Sequence, residues 1–230
     1  MVYGYRKGYP LNALWGFQHA GVWHNKEEIE RNKLTHAVAS NNGNTALGYP
    51  VYVDRNHDGV LDNQDMTYLG NADPVVYGGF QNNFRIGKFN LGVYFVYSLG
   101  GKIFNYSELY MAGSRSTNQY AYMVNAWHPV KNPDSNLPRA GIIDGDVHST
   151  RMLHDASYLR LKTVSLSYMW NVKKKFIRDI TFSISGENLY LWKHYNGFDP
   201  DVSTSSDGST LRRMDLGAYP RARTIMASIQ

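Results

Sequence analysis

Apolar and polar residues alternate along several stretches of this chain with the two-residue period of a β-strand, a spacing that sends successive side chains to opposite faces of a sheet. In 88–99 one face reads Phe89, Leu91, Val93, Phe95, Tyr97 and Leu99, and the other Lys88, Asn90, Gly92, Tyr94, Val96 and Ser98. In 179–192, Ile180, Phe182 and Ile184 oppose Thr181, Ser183 and Ser185. The runs 75–85, 157–170 and 221–230 read as further strands, and such runs suit the roughly 9–11 residues that a membrane-crossing strand needs. The phase slips once: Val164, Leu166, Tyr168 and Trp170 share a face while Leu159 and Leu161 fall on the other. That slip predicts a bulge, or an exit from the membrane, near Lys162. A soluble β-sandwich would show the same alternation, so periodicity leaves both architectures open.

Connection lengths separate them, because outer-membrane barrels have short turns on the periplasmic side and long loops outside. Gly87-Lys88 and the lysine-rich segment 171–178 are short, whereas 25–74, 100–155 and 193–218 are long, polar and rich in Gly, Asn, Asp and Ser. With the last strand running down to the periplasm, 179–192 rises, 157–170 descends, 88–99 rises and 75–87 descends. An earlier rising strand at 12–23 would continue the series. Tyr168 and Trp170 then lie near the inner boundary and Tyr97, Tyr190 and Trp192 near the outer one, as interfacial girdles do.

Composition changes this picture little. The chain has 230 residues, of which 18 are Tyr, 21 Gly and none Cys, which suits a β-rich envelope protein built without disulfides. No run approaches the roughly 18 consecutive apolar residues of a membrane helix, and a barrel escapes that test. The residues after Met1 lack the apolar core of a signal peptide, so an export signal is expected upstream of the sequence. The net charge of +5 is spread along the chain, with its densest cluster at Lys173-Lys174-Lys175 and Arg178. No recognition module accompanies it, and nucleic acid is not an expected partner.

One local motif carries chemistry. From Asp54, oxygen-bearing side chains recur at Asn56, Asp58, Asp62 and Asp65, with Gly59 at the sixth position and the Val60 carbonyl at the seventh. This is the spacing of an EF-hand-type loop for calcium, a hard cation taking six to eight oxygens. Position twelve is Asp rather than Glu, no flanking helix is evident, and a metal-free loop of Asx turns has the same composition. Other sites are thinner. Asp144 with Asp146 and Asp199 with Asp201 flank Gly145 and Pro200 and read as turn chemistry, and His148 with His154 fit no metal signature. No catalytic constellation is present, so no enzyme is expected. Trp127, Tyr120 and Tyr122 could stack on a sugar, pack on a partner or fill a loop core.

A set of ordered segments resembles a known family. These are Tyr49-Pro50-Val51-Tyr52-Val53-Asp54-Arg55-Asn56-His57-Asp58-Gly59, Leu69 to Pro74, Tyr77-Gly78-Gly79, Asp155 to Lys162, Glu187 to Trp192, Tyr195-Asn196-Gly197-Phe198-Asp199-Pro200-Asp201 and Tyr219 to Thr224. Together they resemble, across nearly the whole chain, the C-terminal part of the SusC/RagA family of TonB-dependent outer-membrane transporters. The resemblance implies an all-β fold: the C-terminal antiparallel strands of a plugged barrel of about 22 strands, with long extracellular loops. It further implies a SusD-like surface lipoprotein as partner, energy from the TonB complex through N-terminal regions outside this sequence, an oligosaccharide (glycan) or peptide substrate, and outer-membrane lipid around the wall. The chain closes on Ile229-Gln230 instead of the terminal aromatic usual in such strands, so further residues are expected beyond it. The competing expectation is a secreted calcium-stabilised β-domain, an adhesin or carbohydrate-binding module, which would bury Phe89, Leu91, Val93 and Phe95 under a second sheet.

Overall fold

The computed structural model describes residues 2–3, 6–36, 47–112, 118–141, 148–174, 176–202, 204 and 213–230. They form two compact units. One holds 73–102, 155–202 and 218–230, and is a single antiparallel sheet of five strands: β1 Val76–Ile86, β2 Phe89–Leu99, β3 Tyr158–Asn171, β4 Asp179–Lys193 and β5 Thr224–Ile229. Their spatial order is β5-β4-β3-β2-β1, so each strand bonds to its chain neighbour in an up-and-down meander. Local chemistry explains the ends. The β1–β2 hairpin closes on the Ile86–Phe89 pair with Gly87 at φ 59°, in the position where a type II′ turn takes glycine. The turn after β3 folds on itself, Val172 and Lys173 both donating backbone N–H bonds to the Arg178 carbonyl.

The expected bulge is present. From Leu161 to Thr163 the ladder shifts register against both neighbours, because β2 advances from Phe95 to Tyr94 while β3 spends an extra residue on Lys162. On the other side β4 inserts Asn188 in the left-handed region at φ 52°, a conformation that Asn tolerates better than most residues. The Lys162 ammonium lies 3.4 Å from the Asn188 side-chain oxygen. The extra residue returns Leu159 and Leu161 to the face of Val164, Leu166 and Tyr168, opposite Tyr97 and Phe95. The slip in the sequence pattern is therefore what keeps the apolar face continuous.

The last strand is shorter than the 221–230 expected. Before Thr224 the chain is held by side chains instead of a ladder: Asn188 donates to the Ala222 carbonyl at 3.1 Å, and Arg221 pairs with Asp201 at 2.6 Å.

The second unit holds 1–72, 103–154 and 203–217. It corrects the reading of 12–23 as a membrane-crossing strand. Ala13–Gly16 pairs with Val2–Tyr3 and Thr67–Asn71, and His19–Val22 pairs with Pro50–Tyr52. At four residues each these strands are too short to cross, and Ala13, Leu14, Trp15 and Phe17 are buried in succession instead of alternately. The connecting segments also carry apolar cores of their own: Phe17, Tyr52 and Leu61 with Leu34 and Met66; Phe104, Leu109 and Met152; Ala112, Met123 and Ala126. Tyr120 and Tyr122 stack at 5.6 Å and pack on the third cluster, and Trp127 is buried, so these aromatics fill loop cores.

Candidate functional site

The five-stranded sheet has two chemically distinct faces. Cross-strand register places Phe80, Phe84 and Ile86 of β1 beside Phe95, Leu91 and Phe89 of β2. The same face continues through Leu161, Leu166 and Tyr168, through Tyr190, Ile184 and Phe182, and ends on Ile225, Ala227 and Ile229. These side chains are open to the surroundings: Phe84 is 50% exposed, Phe89 50%, Ile184 50% and Ile229 73%. A contiguous apolar face left open across all five strands marks a surface made for an apolar partner or a membrane. Among the described residues no second sheet of the kind a soluble β-domain would lay over Phe89 is present, and Phe89 itself is half exposed. From Phe89 to Leu99 the strand runs roughly 33 Å at about 3.3 Å per residue. Tilted by about 40°, it spans about 25 Å, the height of a barrel's apolar band.

Aromatic rings mark both limits of that band. At one end Phe89 and Tyr168 lie with centroids 4.8 Å apart, and Trp170 follows. At the other, Tyr190 and Trp192 lie at 4.5 Å, and Phe80 stacks on Phe95 at 4.8 Å. The opposite face is polar. Ser183 and Ser228 share a hydroxyl hydrogen bond of 2.7 Å, and a hollow of about 230 Å³ is bordered by Asn83, Arg85, Asn90, Gly92, Ser165 and Ser167.

At the end of β3 and β4 away from the lysine-rich turn, several motifs that lie far apart in sequence converge. Arg160 donates to Asp199 at 2.7 Å, with the two side chains only 4% and 2% exposed. The Asp199 carboxylate also accepts the Asp201 backbone N–H at 3.0 Å, and Asp201 pairs with Arg221. Lys193 donates to the carbonyls of Tyr195 and Gly197. The loop 194–202 is thus latched to the wall by charges from β3, β4 and the segment before β5. Reading Asp199 and Asp201 as turn carboxylates captured the Asx bond and missed both arginines. The only available signal was an arginine in an otherwise apolar strand start, Tyr158-Leu159-Arg160-Leu161.

A second cluster lies in the other unit. Asn105 caps the helix Tyr106–Met111 by accepting the Glu108 N–H at 3.0 Å. The Glu108 carboxylate accepts Tyr122 OH at 2.6 Å and lies 2.6 Å from His154 Nε2. Burial pushes the Glu108 carboxyl upward, but bonds to His154 and Tyr122 and the charges of His154 and Arg151 outweigh it and hold the group below its ordinary range. Burial and hydrogen bonding to the Glu108 carboxylate push the Tyr122 phenol well above its usual value. His148 bonds Tyr106 OH at 2.6 Å, so the two histidines serve different partners. Asp144 and Asp146 lie outside the described residues.

The loop 54–65 is closed by its own hydrogen bonds. Asp54 accepts the N–H groups of His57 at 2.7 Å and Gly59 at 2.9 Å, and Gly59 takes φ 81°. Asn56 and Asp58 bond each other, and Asp58 accepts the Val60 N–H at 2.8 Å. Asp65, fully buried, accepts the N–H groups of Arg55 and Asp62 at 2.9 Å. The donors are hard oxygens of the kind calcium takes. Among the described residues no group of three or more His, Asp or Glu stands in metal-holding geometry.

An amphipathic antiparallel meander with an open apolar face, ring girdles and a polar reverse defines a wall segment of an outer-membrane β-barrel. Comparison with known proteins shows which transporters the chain is similar to. No family model matches the chain. TonB-dependent receptor P3 of Formosa agariphila is 29% identical over 228 residues, 95% of this chain and 22% of that protein. TonB-dependent receptor SusC of Bacteroides thetaiotaomicron is 23% identical over 194 residues, 78% of this chain and 17% of that protein. Among solved structures, the RagAB peptide transporter superposes with a TM-score of 0.74 at 20% identity, covering 98% of this chain and 23% of that one. The RagAB importer in its closed-closed state gives 0.68 at 20% identity, covering 94% and 22%. The chain spans about a fifth of the length of the relatives it matches. Over nearly its whole length the chain is similar to TonB-dependent receptors of the SusC and RagA kind, and its sheet has the fold of part of their outer-membrane barrel.

Proposed function

We propose that this chain supplies part of the wall and outer loops of an active outer-membrane importer that takes up oligosaccharides or peptides. It works with a SusD-like surface lipoprotein and draws energy from the TonB complex. The observation that carries this reading is the division of one continuous sheet into a lipid face and a polar, serine- and asparagine-rich face, in a chain whose relatives are named receptors and transporters. The connecting segments 25–74, 100–155 and 193–218 face outward, toward substrate or lipoprotein. The chain's role is transport and not catalysis. The test is expression of the whole protein with outer-membrane fractionation, heat-modifiable gel migration and uptake of labelled glycan and peptide mixtures. A product that fractionates as soluble protein would refute the barrel; an outer-membrane product that takes up neither class would refute the substrate assignment.

We also propose that the 54–65 loop takes a structural calcium ion through the side chains of Asp54, Asn56, Asp58, Asp62 and Asp65 and the Val60 carbonyl. The order of hard oxygens and the left-handed Gly59 support the reading. Calorimetry should show calcium binding that is lost in Asp54→Ala and in Asp58→Ala. Equal heats in all three proteins would rule out this ligand set.

A further inference from the structure

The short-turn end of the sheet combines two features that the transport reading does not use. On the apolar face a groove of about 460 Å³ opens between Phe89, Tyr168, Phe182 and Ile229. It continues past Leu166 and Ile184 into a second groove of about 340 Å³ that reaches Gly186, where the side chains are small or absent. From Phe182 to Gly186 this furrow runs roughly 13 Å along the strand at about 3.3 Å per residue. The groove therefore begins at the end of the wall where both short turns lie, since the Met169 N–H bonds the Lys88 carbonyl at 3.0 Å and β4 starts at Asp179.

Those turns are basic. Lys88, Lys173, Lys174 and Arg178 are all exposed, and Asp179 is the one acidic residue from 171 to 179. Beside them Phe176 is 93% exposed and Ile177 47% exposed, so the turn offers apolar groups among its cations. A neutral membrane interface gives no reason to gather four cations at the mouth of an acyl-sized groove. An anionic headgroup does, because basic side chains near a bilayer surface attract anionic lipid at about fivefold in affinity per cation.

We propose that this end of the wall is a binding site for an anionic glycerophospholipid of the periplasmic leaflet. The headgroup phosphate lies against Lys173, Lys174 and Arg178, and one acyl chain lies in the furrow. The leaflet assignment rests on the reading above that the short turns face the periplasm.

Trp170, half exposed at the same end of the face, is a built-in reporter, and Trp192 at the opposite end is the control. The whole protein is placed in bilayers containing phosphatidylglycerol or phosphatidylcholine with brominated acyl chains, and Trp170 emission is isolated by difference from Trp170→Phe. Brominated phosphatidylglycerol should quench Trp170 at roughly a hundredfold lower mole fraction than brominated phosphatidylcholine. The preference should fall to about fivefold in the triple variant Lys173→Gln, Lys174→Gln, Arg178→Gln, in which Lys88 remains, and should weaken about fivefold in Lys88→Gln, with Trp192 quenching unchanged. Equal potency of the two lipids in the unsubstituted protein, or a preference undiminished in the triple variant, overturns the site. An impermeant maleimide applied to intact cells should leave Asn171→Cys unlabelled. Labelling from outside would overturn the sidedness and with it the leaflet, whatever the lipid preference.

Discussion

Replacing Asp199 by Asn tests whether the loop 194–202 is held by charge. Asn keeps the shape and one acceptor oxygen, but leaves the Arg160 guanidinium, 4% exposed, without its counter-charge. With charge centres about 4 Å apart and an effective dielectric near 20, the attraction lost is about 4 kcal/mol. Breaking one partner of a buried pair costs about 3–5 kcal/mol in measured cases. The retained Asn oxygen points to the lower end, about 3 kcal/mol, a change of roughly a hundredfold in a local equilibrium. The barrel is too large for this to appear as global unfolding, so the readout is amide hydrogen exchange at 195–201 in the purified protein. Exchange there should accelerate about a hundredfold in Asp199→Asn while the centre of β3 and β4 is unchanged. In Arg160→Met with Asp199→Leu no charge is stranded, and about half of the lost protection should return; the Asp201 N–H still lacks its acceptor. Exchange within twofold of the parent in Asp199→Asn would show that the ion pair does not hold the loop. A double variant more labile than the single one would show that shape, and not charge, is decisive.

Other outcomes follow from the same geometry. Ile184→Arg, at mid-height on the lipid face, should lower stability in vesicles by about 2–4 kcal/mol, whereas Ser183→Arg on the polar face should cost far less; equal costs in denaturant titrations would contradict the face assignment. Gly16→Ala would set a methyl 2.5 Å from the His148 carbonyl oxygen, so about 1–3 kcal/mol of local stability should be lost, seen as faster proteolysis within 1–72. Acidification should loosen the same unit. Burial and the Arg151 charge bring His19 down from 6.5 to about 4, so its contribution is complete above 6.5 and is lost as pH falls toward 4, about 3 kcal/mol in all. Glu108, also depressed, adds a loss that begins below its ordinary 4.5, and His19→Gln should flatten the upper part of the profile measured by hydrogen exchange.

The strands of the wall were legible because each side chain facing lipid or lumen answers to one solvent, and alternation records that choice residue by residue. Even the bulge at Lys162 left a trace, as a slip of phase between Leu161 and Val164. The segment 12–23 misled for the converse reason. Its residues are apolar and strand-forming, but Ala13, Leu14, Trp15 and Phe17 are buried together in a small core, and a two-sided burial has no period to distinguish it from a wall strand. The aromatics Tyr120, Tyr122 and Trp127 were ambiguous in the same way until their packing was known.

By itself the sequence determined the class of the protein, the two faces of its wall, the short and long connections between strands and the family motifs along them. Only the tertiary structure decided what those motifs do together: Arg160, Asp199, Asp201 and Arg221 meet across distant segments, as do Glu108, Tyr122 and His154. The reason is physical. Alternation reports a side chain's solvent, which is a property of one strand, whereas an ion pair or a shared groove depends on register between strands and on the folding of loops. Those long-range distances are encoded by no local pattern.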